Sequence, residues 1–242
     1  MNLVFQPKTV LLDFEQATHS AVRKCIPTAA ILGCRFHFAQ AVFRKIAALG
    51  LKTIYNDAQS PIGQWLRKFF ALPLLPAEEI GDTYAFDLDV TRPDGYEKRL
   101  DEFADYMVNN YIGDDARFPP HTCIWSAAPD SDGQYLPRTT NACESFHKHL
   151  KQAFGSAHPN IYTFSNVIRL LQEETYVKIQ SVSASRHISS KDKAKHAFVA
   201  DMYKKYQDGS ISRAVYIATI CHKYLPVDLH NQRDNGHCSS DN

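Results

Sequence analysis

The sequence lacks the features of secreted and membrane-inserted proteins. No stretch comes near the roughly 20 consecutive apolar residues that a membrane-spanning helix needs. Residues 1–8 lack the charged, then apolar, then small order of a secretory signal peptide. The six cysteines have no regular spacing, so they do not indicate a disulfide framework. These absences predict an intracellular protein without a membrane partner, whose cysteines are reduced.

The sequence also lacks a large net charge, but its charges are unevenly distributed. The formal charge is +1, from 27 Lys and Arg against 26 Asp and Glu. Residues 76–132 hold 14 acidic and 4 basic side chains, a net charge of −10. Residues 138–205 hold 11 basic and 5 acidic side chains, a net charge of +6. The basic segment is compatible with contacts to a phosphate backbone and also with a solvated helix face.

The chain begins with a strand–helix–strand pattern. Residues 9–12 are a short apolar run after a proline, which predicts a buried strand. A helix is predicted over residues 15–25, ended by Pro27, and residues 29–32 form a second apolar run. This unit of about 25 residues is typical of an α/β sheet with parallel pairing.

Helical patterns dominate the remainder of the chain. No strand pattern occurs between residues 36 and 111, and residues 113–137 are rich in Gly, Pro and Asp, which predicts a long loop with a short strand at 123–125. We therefore expect an α/β fold whose sheet is interrupted by an all-α insertion and followed by a helical C-terminal region. Before the predicted loop, the predicted helices cover residues 38–49, 61–70, 76–85 and 96–111. After the loop, helical periodicity resumes at residue 141 and continues through residues 161–179, 191–205 and 211–224.

Two carboxylates stand at structurally informative positions. Asp13 directly follows the first predicted strand, at the end where open α/β sheets place their sites. Glu144 lies three residues after Asn141, at a predicted helix start. A carboxylate from a strand end and one from a helix can together hold a divalent metal. Two structural interpretations remain open: Asp13 caps the next helix, and Glu144 completes a capping box.

A Cys-x-x-His step follows the second predicted strand. Cys34 and His37 have the spacing of half a zinc site, which would need about two more ligands. A buried cysteine beside a hydrogen-bonded histidine is the structural alternative, and a Cys–His nucleophile pair is a further one. Cys143 and His147 could supply the two missing zinc ligands. Cys123 and His149 are the alternates.

Three separated motifs extend these observations. They are Leu-Leu-Asp-Phe-Glu-x-Ala around residue 13, Gly-Cys-x-Phe-His-Phe-x-Gln-Ala after the second strand, and Arg-Thr-Thr-Asn-x-Cys-Glu-Ser-Phe-His around residue 144. In their residues and their order along the chain, these motifs resemble the transposase domain of Mutator-like elements, a branch of the Asp-Asp-Glu transposases. The similarity covers about residues 8–180.

The resemblance implies a fold and its boundaries. The sheet would be part of an RNase-H-like sheet. Residues 1–180 would form the partial transposase domain, with a helical insertion over about 37–137. Residues 181–226 would be a helical extension, and residues 227–242 a disordered tail.

The resemblance also implies a reaction, which is metal-dependent cleavage and transfer of DNA strands. Asp13 would be the second catalytic aspartate and Glu144 the catalytic glutamate, and both would bind Mg²⁺ or Mn²⁺. Arg138, Lys148 and Lys151 would contact DNA phosphates at transposon ends. The implied location is the nucleus.

The sequence departs from the family at its start. The first catalytic aspartate of the family lies on a strand before Asp13, whereas residues 1–12 contain no acid. The later acids Asp57, Asp82 and Asp87 fall in the helical insertion and cannot replace it. We therefore expect a truncated, catalytically incomplete domain, from a decayed element copy or a gene model without its first exon.

Two other functions stay open at this point. One is a non-catalytic host module that binds DNA or a protein, and the other is a zinc-stabilised helical interaction domain. A sheet without its leading strands would expose a strand edge, so homo-oligomers or poor solubility are expected as well.

Overall fold

The computed structural model describes residues 6–121, 141–181, 190–223 and 225. The chain divides into two units. The first unit combines Met1–Thr139 with Phe198–Asn242, and the second is Thr140–Ala197. Each unit is described by itself below. The domain boundaries expected near residues 37, 137, 180 and 226 stay predictions, and the expected tail over 227–242 lies outside the described residues.

The first unit begins with the strand–helix–strand element that the sequence predicts. Strand β1 (Thr9–Leu12) is followed by helix α1 (Gln16–Cys25) and strand β2 (Ala30–Gly33). The two strands are parallel, with Thr9 opposite Ala30 and Leu12 opposite Gly33. The predicted parallel pairing is thus confirmed. Within the described residues these two strands are the whole sheet, and the rest is mostly helical.

Helices follow β2 up to residue 112. Helix α2 stops at Ala48, where Gly50 adopts a φ of 68° that favours glycine over other residues. Ser60 accepts a hydrogen bond from the Gly63 amide at the start of α4, so this helix begins with a side-chain cap and a proline in its first turn. The helical segments here are α2 (Arg35–Ala48), α3 (Lys52–Asn56), α4 (Pro61–Lys68), 3₁₀ helices Phe69–Leu74 and Ala77–Glu79, α5 (Ile80–Thr83), π helix Tyr84–Asp89, α6 (Glu97–Met107) and π helix Val108–Ile112.

Aromatic and aliphatic side chains of these helices form one core. Trp65 of α4 packs edge-to-face on Phe69, with ring centroids 4.9 Å apart, and Phe69 packs in the same way on Phe103 of α6 at 5.0 Å. The Trp65 indole N–H donates to the Leu88 carbonyl oxygen at 2.7 Å, so its polar atom is satisfied inside the core. These helices therefore share one hydrophobic interior.

The C-terminal helices add to the same core. Helix α9 (Ser190–Gln207) and helix α10 (Arg213–Ile220) are present where helices are predicted, and the 3₁₀ helix Cys221–Lys223 follows. The Tyr216 hydroxyl donates to the Leu74 carbonyl oxygen at 2.9 Å, and Arg213 Nε lies 2.5 Å from Asp87 Oδ2. Residues more than 120 positions apart are thereby joined within the first unit.

The second unit contains a pair of helices. Helix α7 (Asn141–Phe154) begins at the predicted residue, and helix α8 (Ile161–Ser181) follows after Gly155, which has a φ of 66°. Asn160 accepts a hydrogen bond from the Thr163 amide and so caps α8. Phe154 and Phe164 stack with centroids 5.6 Å apart and hold the two helices together.

Candidate functional site

Asp13 lies at the carboxyl end of the parallel sheet. It is the first residue after β1, and it is half-buried. The Cys34 amide donates to the Leu12 carbonyl oxygen at 2.6 Å, so the residues that follow the two strands share one edge of the sheet. This edge is where the sequence predicts a site.

Asp13 does not cap the following helix. The N-cap of α1 is Glu15, and no side chain makes a capping hydrogen bond there. The Glu15 carboxylate accepts instead from the Thr18 hydroxyl at 3.2 Å. The capping interpretation of Asp13 is therefore wrong.

His19 is a buried polar residue beside Asp13. It lies in the first turns of α1 with 1% of its surface exposed, and its Nε2 is 2.7 Å from the Asp13 carbonyl oxygen. Burial lowers the pKa of His19, with a smaller opposing contribution from the hydrogen bond at Asp13. The sequence reasoning missed His19. The available signal was a histidine three positions before Val22 on the apolar face of α1.

Cys34 and His37 stand at the start of α2. Cys34 is the N-cap residue of α2 and is fully buried, whereas His37 is half-buried in the first turn with its ring 5.6 Å from that of Phe36. Burial of Cys34 agrees with the structural alternative for this motif. Its proximity to Asp13 comes from the parallel register of β1 and β2.

The predicted partners of Cys34 and His37 belong to the second unit or lie outside the described residues. Cys143 is in helix α7, where the side chains of residues 141–144 are not described, and Cys123 lies outside the described residues. His147 and His149 are exposed on α7. The zinc site stays a prediction, which metal analysis of the purified protein would test through one tightly held zinc per chain.

The residues present do not by themselves complete a metal site. Among the described residues, no group of three or more His, Cys, Asp or Glu side chains could hold an ion. Asp13 offers one carboxylate, and Glu144 stands on α7 of the second unit, where its side chain is not described. The shared metal site of Asp13 and Glu144 therefore stays a prediction.

The basic side chains of the predicted DNA contact are on α7. Lys148 and Lys151 are exposed and three residues apart, while Arg138 lies outside the described residues. Lys151 and His147 border a shallow depression in the second unit, together with Leu150, Phe154, Ser156 and Ala157. One lysine thus borders this partly apolar depression.

Phe146 of α7 is not part of the hydrophobic core. Half of its surface is exposed, and its ring borders a groove of about 420 Å³ between α7 and α8. The α8 residues that line the groove are three or four positions apart, so they share one face of the helix. The wall residues are Ile168, Leu171, Gln172, Thr175 and Tyr176.

The acids of the insertion have structural roles in the first unit. Asp87 pairs with Arg213, and the Asp57 carboxylate accepts from the Gln59 amide at 2.9 Å. Arg92 bonds Asp101 at 2.7 Å. These contacts account for part of the acidic segment without a metal.

Comparison with known proteins adds no family to this geometry. No protein-family model matches the sequence, and neither the curated proteins nor the solved structures provide a significant match. Across the described residues, no helix is both long and apolar enough to cross a membrane. The function therefore has to be argued from the motifs and the placement of the residues that carry them.

Proposed function

We propose that this chain carries the C-terminal part of a Mutator-like transposase domain, in which Asp13 is one ligand of a catalytic metal. The observation that carries the proposal is the place of Asp13. It is half-buried at the carboxyl end of β1, beside a parallel second strand, and it does not cap α1. The motif around Asp13 is one of three that resemble this family.

The proposal assigns a fold and roles to the remaining motifs. The parallel pair β1 and β2 with its crossover helix would belong to an RNase-H-like sheet, interrupted by the helices after β2. Carboxylate oxygens are the ligands that Mg²⁺ prefers, so Asp13 and Glu144 would each supply one, and a further aspartate from a preceding strand would be needed. The bound metal would supply activation of water or of a 3′ hydroxyl. Nuclear location and transposon-end DNA are parts of the same proposal.

Cleavage of DNA by the native full-length product that contains this chain tests the catalytic role. We expect nicking of supercoiled plasmid that needs Mg²⁺ or Mn²⁺ and is lost in Asp13→Asn and in Glu144→Gln. Asp105→Asn and Glu102→Gln are matched controls, because both residues lie on α6, away from the strand end. Cleavage that survives Asp13→Asn contradicts the proposal, and so does a native product that cleaves nothing in either metal.

A DNA-binding role without cleavage is the second candidate. It is favoured by the exposed Lys148 and Lys151 on one face of α7. Phosphate contacts release counterions, so binding should weaken steeply as salt is raised. We expect Lys148→Gln and Lys151→Gln each to reduce the slope of log affinity against log salt by about 1. Lys98→Gln, an exposed lysine of α6, should leave the slope unchanged. Equal slopes for all variants would contradict a role for this helix.

A further inference from the structure

Two large apolar side chains lie exposed at the π helix Tyr84–Asp89. Phe86 has 67% of its surface exposed, and Val90, directly after the helix, has 74%. Neither side chain packs against the hydrophobic core of the first unit. Exposed apolar residues that lie together inside a polar rim mark a contact surface, whereas single ones need no explanation.

This apolar pair belongs to one face of the segment formed by α5 and the π helix. Thr83 and Leu88 of the segment are buried. The exposed residues repeat at spacings of three and four, so they lie on the opposite side, which we call the Phe86 face. The Phe86 face consists of Asp82, Ala85, Phe86, Asp89 and Val90.

Hydrogen bonds fix this segment from its inner side. The Leu88 carbonyl oxygen accepts from the Trp65 indole at 2.7 Å, and the Asp87 carbonyl oxygen accepts from the Thr91 hydroxyl at 2.6 Å. The Asp87 carboxylate is paired with Arg213. A surface that is already held in one conformation loses little freedom on binding, and this favours recognition by the Phe86 face.

The surroundings of the Phe86 face are acidic. Residues 78–105 hold 10 acidic and 3 basic side chains, a net charge of −7. Arg92, one of the three basic side chains, is already in an ion pair, and neither Asp82 nor Asp89 makes an ion pair with another described residue. Burial, and next the Asp89 carboxylate, raises the pKa of Tyr84, the first residue of the π helix. The face therefore has carboxylates that can attract a cationic partner.

We propose that the Phe86 face is a docking surface for a segment of a partner protein that is rich in lysine or arginine and carries an apolar side chain. The apolar side chain would pack against Phe86 and Val90, and the cations would contact Asp82 and Asp89. Charge selects this occupant: nucleic acid is repelled, and the same face of a second copy would set carboxylates against carboxylates. The inference does not depend on the role proposed for Asp13.

Binding of a fluorescent synthetic peptide of alternating lysine and leucine to the full chain tests the proposal. We expect Phe86→Ser to weaken this binding about tenfold, because the apolar contact is the anchor, and Val90→Ser to weaken it as well. Asp82→Asn combined with Asp89→Asn should weaken it about threefold or more and make it less sensitive to salt.

Matched variants control for the loss of apolar surface and of charge. Ile161→Ser removes an apolar side chain with the same exposed fraction from the second unit. Asp114→Asn combined with Asp115→Asn removes the same charge from exposed positions outside the Phe86 face. Both controls should bind the peptide as the wild type does, and a peptide with glutamate in place of lysine should not bind.

Three results would overturn the proposal. The first is that the wild type does not bind the lysine peptide or binds the glutamate peptide equally well. The second is that Phe86→Ser and the double variant at Asp82 and Asp89 both bind as the wild type does. The third is self-association of the wild type that Phe86→Ser abolishes, since a second copy would then cover this face.

Discussion

Single hydrogen bonds join distant parts of the first unit, and the bond between Tyr206 and Glu79 is the one with the clearest pH signature. The Tyr206 hydroxyl donates to the Glu79 carboxylate across 127 positions of sequence. Burial, and then the neighbouring carboxylate, raise the pKa of Tyr206 to about 12 from an ordinary value of 10. Arg213 and Tyr203 are the other ionisable groups that face it.

The sign of the expected pH dependence follows from that shift. The folded state binds the Tyr206 proton more tightly than the unfolded state does. The stability from this bond is therefore complete below pH 10 and is lost as pH rises from 10 towards 12. Tyr206→Phe should cost about 1 kcal/mol at neutral pH, and its unfolding free energy should fall less steeply above pH 10.

Urea unfolding of the wild type and of Tyr206→Phe, from neutral pH to above pH 10, checks the prediction. Tyr162→Phe is the matched control, because 85% of the Tyr162 surface is exposed. If the unfolding free energies of wild type and Tyr206→Phe are identical at every pH, the bond between Tyr206 and Glu79 contributes nothing to stability.

Residue-level prediction from the sequence succeeded where the local pattern determines the position. Asp13 follows an apolar run, so its place at the end of a strand was predictable. The burial of His19 was not, because it depends on Phe118, which lies 99 positions further along the chain. Tertiary contacts of this kind leave no mark in the local spacing of residues.

At the scale of elements, the close packing of α3 against α4 depends on Gly63. A Cβ atom at Gly63 of α4 would lie 2.3 Å from the Ile54 carbonyl oxygen and 3.0 Å from that of Asp57. Helix α3 and its C-terminal turn thus leave room for hydrogen only. Gly63→Ala should lower the unfolding free energy by about 1–3 kcal/mol, since backbone atoms would have to move.

Gly81→Ala is the matched control for this change. Gly81 is also in a short helix, α5, but a Cβ atom added there would meet nothing within 4 Å, so alanine should be neutral or stabilise by up to about 1 kcal/mol. Thermal or urea unfolding of both variants and of the wild type measures these changes in stability. Equal stabilities would mean that α3 and α4 do not pack this closely.

Element-level prediction was accurate for long periodic segments and failed for short ones. The apolar spacing from Phe38 to Leu49 indicated α2, and Gly50 marked its end. Helix α3 was missed because its five residues are too few for a periodic pattern. The π helix Val108–Ile112 was predicted as ordinary helix, since the hydrophobic pattern does not resolve a slight change in turn. Most of the π helix Tyr84–Asp89 lies beyond the helix that was predicted to end at residue 85.

Association is the main expectation at the scale of the whole molecule. Val177 and Ile179 of α8 have 64% and 67% of their surfaces exposed, and Tyr176 beside them has 57%. A helix that is apolar on several faces is usually covered. We expect this chain to self-associate as its concentration rises.

Sedimentation velocity over a range of concentrations tests this expectation. Val177→Gln combined with Ile179→Gln should reduce association, because glutamine keeps helix propensity while removing apolar surface. Lys178→Gln lies between them and removes no comparable apolar surface, so it should associate as the wild type does. A wild-type chain that stays monomeric throughout would contradict the expectation.

The assembly of the whole molecule was the least predictable level. The α/β start and the helical remainder followed from local patterns. The joining of α10 to the 3₁₀ helix Phe69–Leu74, through Tyr216 and the Leu74 carbonyl oxygen, did not, because these residues are 142 positions apart.

The proposed binding of a divalent cation at the Asp13 end of β1 is tested most directly by paramagnetic broadening with Mn²⁺. In nuclear magnetic resonance spectra of the full chain, we expect small amounts of Mn²⁺ to broaden the amide signals of Asp13, Phe14 and Cys34 first. Asp13→Asn should abolish that broadening. The acidic segment at residues 76–132 is the competing site for a cation. Broadening confined to that segment, and unchanged by Asp13→Asn, would contradict the account.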